Sequence, residues 1–154
     1  MTSDITSTAD LAELTRMLDR ERIAAVIRSY AHAFDRRDWK LVRSFFTEDA
    51  VIEGSADTLP IDQALARSEV LAARYATTMH FVGNQLAEVD GDRGHVDSYL
   101  LAYHWKVAPP GTDHPENLIG GARYHDTMTR RSGGWLISYR RVSRDWSIGL
   151  QPKL

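Results

Sequence analysis

The second half of this sequence constrains the fold most, because it reads as a series of long β-strands. Two groups of turn residues, Asp90-Gly91-Asp92 and Ser132-Gly133-Gly134, separate neighbouring strands. Long strands with such short links favour an antiparallel meander, one face of which must be buried under another layer. The predicted strands are His80–Val89, Gly94–Val107, Leu118–Arg131 and Trp135–Trp146.

The first half supplies that layer as helices. Apolar side chains repeat at helical spacing and mark one face of a long helix that ends near Asp35. Asp10 is the predicted N-cap of this helix, with Glu13 completing a capping box. The residues of the apolar face are Leu11, Leu14, Leu18, Val26, Ile27, Tyr30 and Phe34.

Shorter elements follow this helix. Asp38 is the predicted N-cap of a short second helix. A short strand over 50–53 and a loop over 54–60 then lead into a third helix over 61–75. The residues of the third helix that are predicted to point inward are Ala64, Leu65, Val70, Leu71 and Ala72.

This order of elements predicts an α+β fold in one domain that spans residues 1–154. No internal repeat or linker divides the chain. The polar residues 2–9 are expected to fray, and a polar loop is expected over 109–117. A chain of this length buries about 70% of the surface of its unfolded state, which is enough for a substantial core.

Composition excludes several classes of function. The net charge is −2, so no overall basic field favours nucleic acid. The absence of cysteine excludes disulfides, thiolate metal sites and thiol nucleophiles, and it is compatible with a reducing cytoplasm. No apolar run is long enough to span a membrane, and residues 1–4 lack the apolar character of a signal peptide. We therefore expect a cytoplasmic protein that binds neither nucleic acid nor membranes.

Asp35 and His80 offer the clearest chemistry in the sequence. One imidazole oriented by one carboxylate can move a proton near neutral pH. Each residue also has a structural alternative, because Asp35 could make only turn hydrogen bonds and His80 could be a core histidine. Together with His104 they are the only plausible metal ligands, and none has the spacing of a dedicated site. We therefore expect no metal and no cofactor.

Several short motifs occur in an order that is typical of one superfamily. They are Tyr30-x4-Asp35-x2-Asp38-Trp39, Phe45-x3-Asp49-Ala50, His80-x3-Asn84, Val89-Asp90-Gly91-Asp92, Gly120-Gly121-x2-Tyr124-x-Asp126 and Gly134-Trp135 leading to Arg140. In these motifs the chain resembles the SnoaL-like branch of the nuclear transport factor 2-like (NTF2-like) superfamily, over residues 15–146. The resemblance implies a cone-shaped α+β barrel, in which a curved antiparallel sheet wraps around N-terminal helices.

The resemblance also implies catalytic roles for three residues. In the scytalone dehydratase, bile-acid 7α-dehydratase and lindane dehydrochlorinase subgroups, a strand histidine removes a proton from carbon and a helix aspartate fixes its tautomer. By motif these residues correspond to His80 and Asp35. Tyr30 corresponds to a tyrosine of the bile-acid enzyme, where the dehydrochlorinase has a lysine, and its hydroxyl could protonate a departing hydroxide. The resemblance therefore implies a cofactor-independent lyase, with dehydration favoured over dehalogenation.

Four further residues are predicted to bind the substrate. Arg140 corresponds to a pocket arginine of the dehydrochlorinase and could hold an anionic oxygen. A strand carboxylate of the bile-acid enzyme falls near Ala102, and His104, on the same face of the strand, could take its place. Tyr124 and Trp39 complete the predicted pocket. The predicted substrate is a bulky hydrophobic molecule such as a steroid, a terpenoid, a polyketide or an aromatic compound.

Other functions remain compatible with the same residues. The same base could serve an isomerase, a cyclase or a lyase that cleaves a carbon–carbon bond by retro-aldol chemistry. A second class is a non-catalytic pocket, either a small-ligand carrier or an accessory subunit such as that of a ring dioxygenase. The outer face of the sheet must be covered or solvated, so a homo-oligomer, either a dimer or a trimer, is also expected.

Overall fold

The computed structural model describes residues 7–107 and 117–149. Residues 2–6 of the segment predicted to fray and residues 109–116 of the predicted loop lie outside the described residues. The helices of this part of the chain are α1 (Thr8–Asp35), α2 (Trp39–Ser44) and α3 (Ile61–Ala72). Its strands are β1 (Phe46–Glu53), β2 (Thr58–Pro60), β3 (Thr77–Asp90), β4 (Arg93–Trp105), β5 (Leu118–Arg131) and β6 (Gly134–Gly149).

Helix α1 begins earlier than the sequence predicts. Ser7 is its N-cap, and the Ser7 hydroxyl oxygen accepts a hydrogen bond from the backbone N–H of Asp10 at 3.1 Å. Asp10 is therefore the third residue of the helix, where an acid is stabilised by the free N–H groups of the first turn. Glu13 binds Arg16 at 2.6 Å instead of completing a capping box. The prediction of Asp10 as the cap is wrong because a serine three residues earlier satisfies the same pattern.

The described strands form one curved sheet that does not close, in the order β2-β1-β6-β5-β4-β3. Strands β3 to β6 pair antiparallel with their neighbours, as the meander predicts. Strand β1, however, pairs parallel with β6. The predicted curved antiparallel sheet is therefore confirmed, and it has one parallel pair that periodicity does not show, because periodicity identifies strands but not which distant strands become neighbours.

The segment predicted to be a loop over 54–60 contains a short strand. Strand β2 pairs antiparallel with β1, with Thr58 opposite Glu53 and Pro60 opposite Val51. A proline is tolerated there because β2 is an edge strand, where the missing N–H leaves no neighbour unpaired. The third helix ends at Ala72, a few residues before the predicted end.

Helix α1 packs across the inner face of the sheet. Ile23 and Ile27 are fully buried in the same core cluster as Met128 of β5. The helix comes so close to β4 that a Cβ on Gly94 would lie 2.4 Å from the Cδ1 atom of Ile23. A Cβ there would also lie 3.3 Å from the carbonyl oxygen of Glu88, so glycine is favoured at this close approach.

The first turns of α1 extend beyond the core. Leu11, Leu14 and Leu18 belong to the predicted apolar face, but they are 56%, 44% and 55% exposed. Val70 of α3, predicted to point inward, is exposed as well. The prediction for Val70 is wrong, and the first turns of α1 are exposed, because helical spacing marks an apolar face but does not show what covers it. No helix within the described ranges is long and apolar enough to cross a membrane.

Candidate active site

Asp35 and His80 meet where the end of α1 packs against β3. The Asp35 carboxylate accepts a hydrogen bond from the ring nitrogen Nδ1 of His80 at 2.6 Å. The backbone N–H of His80 donates to the other carboxylate oxygen at 2.7 Å, and the Thr78 hydroxyl donates to the first at 2.9 Å. Thr78 and His80 are two residues apart on a strand, so their side chains point to the same face. Three donors therefore hold this single carboxylate.

These hydrogen bonds keep Asp35 ionised. Partial burial raises the pKa of the Asp35 carboxyl, but the donors from His80 and Thr78 outweigh this effect and lower its pKa below the ordinary value. The carboxylate in turn favours the tautomer of His80 that carries the proton on Nδ1. The lone pair is then on Nε2, at the opposite edge of the ring, which makes Nε2 the candidate base.

A cavity of about 400 Å³ lies beside this pair. Two of its wall residues, Phe34 and His104, pack edge-on against the His80 ring, with ring centroids 4.9 and 5.7 Å away. The His80 side chain is 8% exposed and lies behind these two rings. The described lining residues of the cavity are Phe34, Ser55, Ala56, Arg67, Ser68, Leu71, Ala72, Tyr75, His104, Leu118 and Arg144.

His104 is a neutral polar group in the cavity wall. Burial lowers the pKa of His104 to about 4, and the neighbouring His80 contributes in the same direction. Its Nδ1 atom is buried and has no hydrogen-bond partner among the described residues. A neutral imidazole with an unused nitrogen can exchange a hydrogen bond with a bound molecule, as the predicted substrate-binding role of His104 requires.

Arg140 lies in a second cluster, deeper in the core. Its guanidinium donates to both carboxylate oxygens of Asp126, at 2.6 and 2.9 Å, and it is 1% exposed. Burial opposes the charge of Arg140, but the Asp126 carboxylate outweighs burial and raises the pKa of the guanidinium. The aromatic rings of Tyr30 and Tyr124 stack on it, with centroids 4.2 and 3.9 Å from its Cζ atom.

Tyr30 connects the two clusters. Its ring centroid lies 6.0 Å from that of Phe34, which forms part of the cavity wall. Burial raises the pKa of the Tyr30 hydroxyl, although Arg140 opposes the shift, so Tyr30 keeps its proton near neutral pH. Neither Tyr30, Tyr124 nor Arg140 is among the described lining residues. The structure thus brings Asp35, His80 and His104 together and leaves the tyrosines and Arg140 one layer further in.

Trp39 and Arg37 support the same region. The Trp39 ring lies edge-on to Phe34, with centroids 5.1 Å apart, so Trp39 backs the cavity wall and is not among its described lining residues. Arg37 follows α1 with a left-handed φ of 59°. Its guanidinium donates to the backbone carbonyl of Ala72 at 3.1 Å and to that of Tyr75. These bonds attach the end of α3 to the end of α1.

Sequence reasoning misses three residues of this site. Thr78 could have been found, because it lies two residues before His80 and strand alternation places it on the same face. Phe34 is identified only as part of an apolar helix face, without any role beside His80. Arg144 carries no signal in the sequence that separates it from the other arginines of the last strand.

No arrangement typical of a metal centre is present in the part of the chain that the structure describes. Within 7–107 and 117–149, no three His, Asp or Glu side chains are grouped so that they could hold a metal ion. The Nδ1 atom of His80 and both oxygens of Asp35 are already engaged with one another and with Thr78.

Comparison with known proteins identifies the family. The model of the SnoaL-like domain matches residues 15–141. The chain belongs to the SnoaL-like family. This match confirms the resemblance that the motifs indicate. No curated protein matches this SnoaL-like chain significantly.

Solved structures share the SnoaL-like fold at low sequence identity. A candidate scytalone dehydratase of Novosphingobium aromaticivorans is 18% identical, with 89% of this chain and 91% of that chain covered and a TM-score of 0.77. The hexachlorocyclohexane dehydrochlorinase LinA-type3 of Novosphingobium barchaimii is 19% identical, with coverage of 92% and 96% and a TM-score of 0.75. An NTF2-like protein with a cystatin-like fold, also from N. aromaticivorans, is 22% identical, with coverage of 92% and 92% and a TM-score of 0.69. The predicted NTF2-like α+β fold is therefore confirmed.

Proposed function

We propose that this SnoaL-like protein is a cofactor-independent lyase, and specifically a dehydratase, in which His80 removes a proton from a carbon atom of the substrate. The observation that carries the proposal is the hydrogen bond of 2.6 Å between the Asp35 carboxylate and His80 Nδ1. A histidine held in this way presents Nε2 as a general base, and such catalysis contributes about 10²–10⁴-fold to a rate.

The reaction requires a carbon acid next to a carbon that bears a hydroxyl group. Nε2 of His80 takes the proton, and the Asp35 carboxylate stabilises the imidazolium that forms. The electron pair of the broken C–H bond becomes the new double bond as the hydroxide leaves. A proton donor converts the hydroxide into water, so one molecule of substrate gives one alkene and one water. A carbonyl or an aromatic system beside the carbon acid would make this proton sufficiently acidic.

Tyr30 is the proposed donor of that proton. Its hydroxyl is protonated near neutral pH because burial raises its pKa. The Phe34 ring packs against both Tyr30 and His80, so in this proposal the substrate displaces the Phe34 ring to reach the two residues. In this proposal Arg140 and Tyr124 hold Tyr30 in place from the core side.

Two observations support a bulky hydrophobic substrate. The cavity of about 400 Å³ is large enough for a small ring system, and Phe34, Leu71, Ala72, Tyr75 and Leu118 give it apolar walls. Two of the solved structures with this fold are named as a dehydratase and a dehydrochlorinase, and both names describe eliminations. The same base also fits isomerisation, cyclisation and retro-aldol cleavage, which differ in the bond that breaks after proton removal.

A non-catalytic ligand-binding protein or accessory subunit is the second candidate. The observation that favours it is the position of His80, which is 8% exposed and is screened from the cavity by Phe34 and His104. In that case Asp35 and His80 would only join α1 to β3.

Assembly into a homo-oligomer, either a dimer or a trimer, is part of the same proposal. Large apolar side chains are exposed on the outer face of β3, β4 and β6, which is more than isolated surface residues would explain. They are Met79, Phe81, Tyr99, Leu101, Trp105 and Trp146. Light scattering in solution should show more than one chain per particle, and a monomer at micromolar concentration would contradict it.

Substitution of His80 tests the reaction. His80→Gln keeps a polar side chain of similar size but has no general base, and its matched control is His95→Gln on the exposed side of β4. We expect the His80 variant to stop both turnover and exchange of the substrate's acidic proton with deuterated solvent, across a panel of β-hydroxy aryl ketones with and without a carboxylate on the aryl ring. The control should behave like the wild type. Turnover that survives in a folded His80→Gln protein would remove His80 from the mechanism, and no turnover by the wild type would favour the binding protein.

A further inference from the structure

Two cavities meet at a wall that carries two arginines. A cavity of about 220 Å³ lies next to the one beside His80. Arg67 of α3 and Arg144 of β6 line both of them, so the two spaces form one cleft. The other residues that both cavities share are Ser55, Ala56, Ser68 and Leu71.

Strand alternation places Arg144 in this cleft, on the same face of β6 as Arg140 and Val142. Arg144 pairs with Ala122 of β5, whereas Trp146 pairs with the preceding residue, Gly121, so Asp145 is an extra residue on β6. Asp145 binds Arg123 at 2.9 Å, and Trp146 packs over Gly121 on the outer face of the sheet. The β-bulge therefore follows Arg144 and turns Trp146 outward. Bulges are over-represented next to active sites.

Among the described residues that line the cleft, two are arginines and one is a carboxylate. Asp57 is the only carboxylate among its described lining residues, and it binds a single nitrogen of Arg67 at 2.6 Å. A guanidinium has five N–H donors, so Arg67 retains donors for a bound group. Arg144 is close enough to His104 for its charge to contribute to the lowered pKa of that histidine.

Arg140 is less suited than Arg144 to bind an anion in the cleft. Two of the three Arg140 nitrogens are taken by Asp126, and the residue is buried outside the cavity wall. The third nitrogen, Nη1, has no hydrogen-bond partner among the described residues, but it is buried, and the rings of Tyr30 and Tyr124 stack on the guanidinium. Arg144 and Arg67 already face the space that a ligand would fill.

We propose that the substrate carries a carboxylate that binds between Arg67 and Arg144, with its apolar body against Phe34, Leu71 and Leu118 and its reacting end at His104 and His80. This inference rests on the proposed function in one respect, namely that the cleft is the substrate site. It specifies the substrate as a hydrophobic carboxylic acid. Planar, bidentate recognition of a carboxylate is a typical use of arginine.

Calorimetric binding of two matched probes tests this inference without any turnover. The probes are 2-naphthoate and 2-naphthamide, which have the same ring and nearly the same size but differ in charge. We expect the wild type to bind the acid on the order of tenfold or more tightly than the amide, as a charge-assisted contact predicts. Arg144→Gln and Arg67→Gln should lose that preference while amide binding is unchanged. Arg141→Gln removes an exposed arginine of β6 outside the cleft and should keep it.

Further variants separate this inference from the proposed reaction. His80→Gln should bind 2-naphthoate like the wild type although it has no turnover. Binding of the acid therefore tests the carboxylate site, and turnover tests the proposed reaction, independently of each other. Arg144→Lys retains the charge and should recover part of the preference even if Arg144→Gln folds poorly. Equal binding of acid and amide by the wild type, a preference that survives in both glutamine variants, or no binding of 2-naphthoate up to millimolar concentration would each overturn the proposal.

Discussion

The Asp35 carboxylate binds both the backbone N–H and the ring Nδ1 of the same residue, His80, at 2.7 and 2.6 Å. The first contact fixes the position of β3 relative to the end of α1, and the second fixes the rotation of the ring. Because one side chain makes both contacts, the orientation of the imidazole depends directly on how the helix packs on the sheet.

Thr78→Val should weaken the proposed base without removing it. The Thr78 hydroxyl is one of the donors that lower the pKa of Asp35, so its loss should raise that pKa. The acid limb of the rate against pH should then move to higher pH, and stability should fall by about 1 kcal/mol. A pH–rate profile together with urea unfolding measures both effects, with the exposed neighbour substitution Thr77→Val as the control. An unshifted acid limb would show that Asp35 does not govern it.

Asp19→Asn should destabilise the protein. Asp19 is 2% exposed, and it accepts hydrogen bonds from Arg130 at 2.6 and 3.0 Å and from the Trp135 indole at 3.2 Å. The bonds from Arg130 lower the pKa of Asp19 to about 2, against the opposing effect of burial. The group is therefore more acidic when folded, and its contribution of about 1–2 kcal/mol is present above about pH 4 and lost as pH falls toward about 2.

Urea unfolding of wild type and Asp19→Asn over this pH range measures that contribution. The difference between the two proteins should be largest near neutral pH and should shrink in acid. Glu69→Gln, an exposed charge removal on α3, is the control and should show no such trend. A constant difference at all pH values would mean that packing, and not ionisation, makes Asp19 important.

His104 should make stability decrease on mild acidification. Its pKa is about 4 in the folded protein, mainly because it is buried, against an ordinary value near 6.5. The imidazole of His104 therefore binds a proton more tightly in the unfolded chain than in the folded protein. The free energy of unfolding is highest above about pH 6.5, and part of it is lost progressively down to about pH 4. The loss amounts to at most about 3 kcal/mol.

His104→Gln should flatten this part of the stability curve. The measurement is the free energy of unfolding at several pH values between neutral and mildly acidic, and the exposed residue His32 supplies the control substitution His32→Gln. If the His104 variant follows the wild-type curve, another group is responsible for the decrease.

Gly94→Ala should destabilise the packing of α1 on β4. The new Cβ would lie 2.4 Å from Cδ1 of Ile23, so either the buried Ile23 side chain or one of the two elements must shift, at a cost of about 1–3 kcal/mol. Ile23→Val deletes that Cδ1 atom, so the double variant should lose less stability than the sum of the two single changes. Gly133→Ala, with no atom within 4 Å of its new Cβ, is the control. Strict additivity in chemical denaturation would show that the contact does not limit the approach.

The sequence predicts the helices and strands of this fold better than it predicts which strands pair with one another. The four long strands and the helix that ends at Asp35 follow from periodicity and turn residues, and the structure has them close to the predicted bounds. The parallel pairing of β1 with β6 is not readable in this way, because it joins segments far apart in the chain. Nor does periodicity show that Leu11, Leu14 and Leu18 extend past the core.

Some residues of the candidate site can be predicted from the sequence and others cannot. Asp35 and His80 can be placed together from the family motifs, and Thr78 from strand alternation. The choice between Arg140 and Arg144 depends on the buried ion pair of Arg140 with Asp126 and on which side chains line the cleft, and neither is visible in spacing alone. The catalytic and substrate-binding roles of these residues remain predictions for the experiments above.

The bonds from Arg37 to the carbonyls of Ala72 and Tyr75 link the cavity wall to the segment that carries Asp35. A molecule too wide for the cleft would push the end of α3 outward and strain this link. The strain would reach Asp35, two residues earlier in the chain, and tilt the imidazole that it holds. A ligand that is too large would therefore be disfavoured in two ways, because it would fit the cleft poorly and would also misalign the proton acceptor.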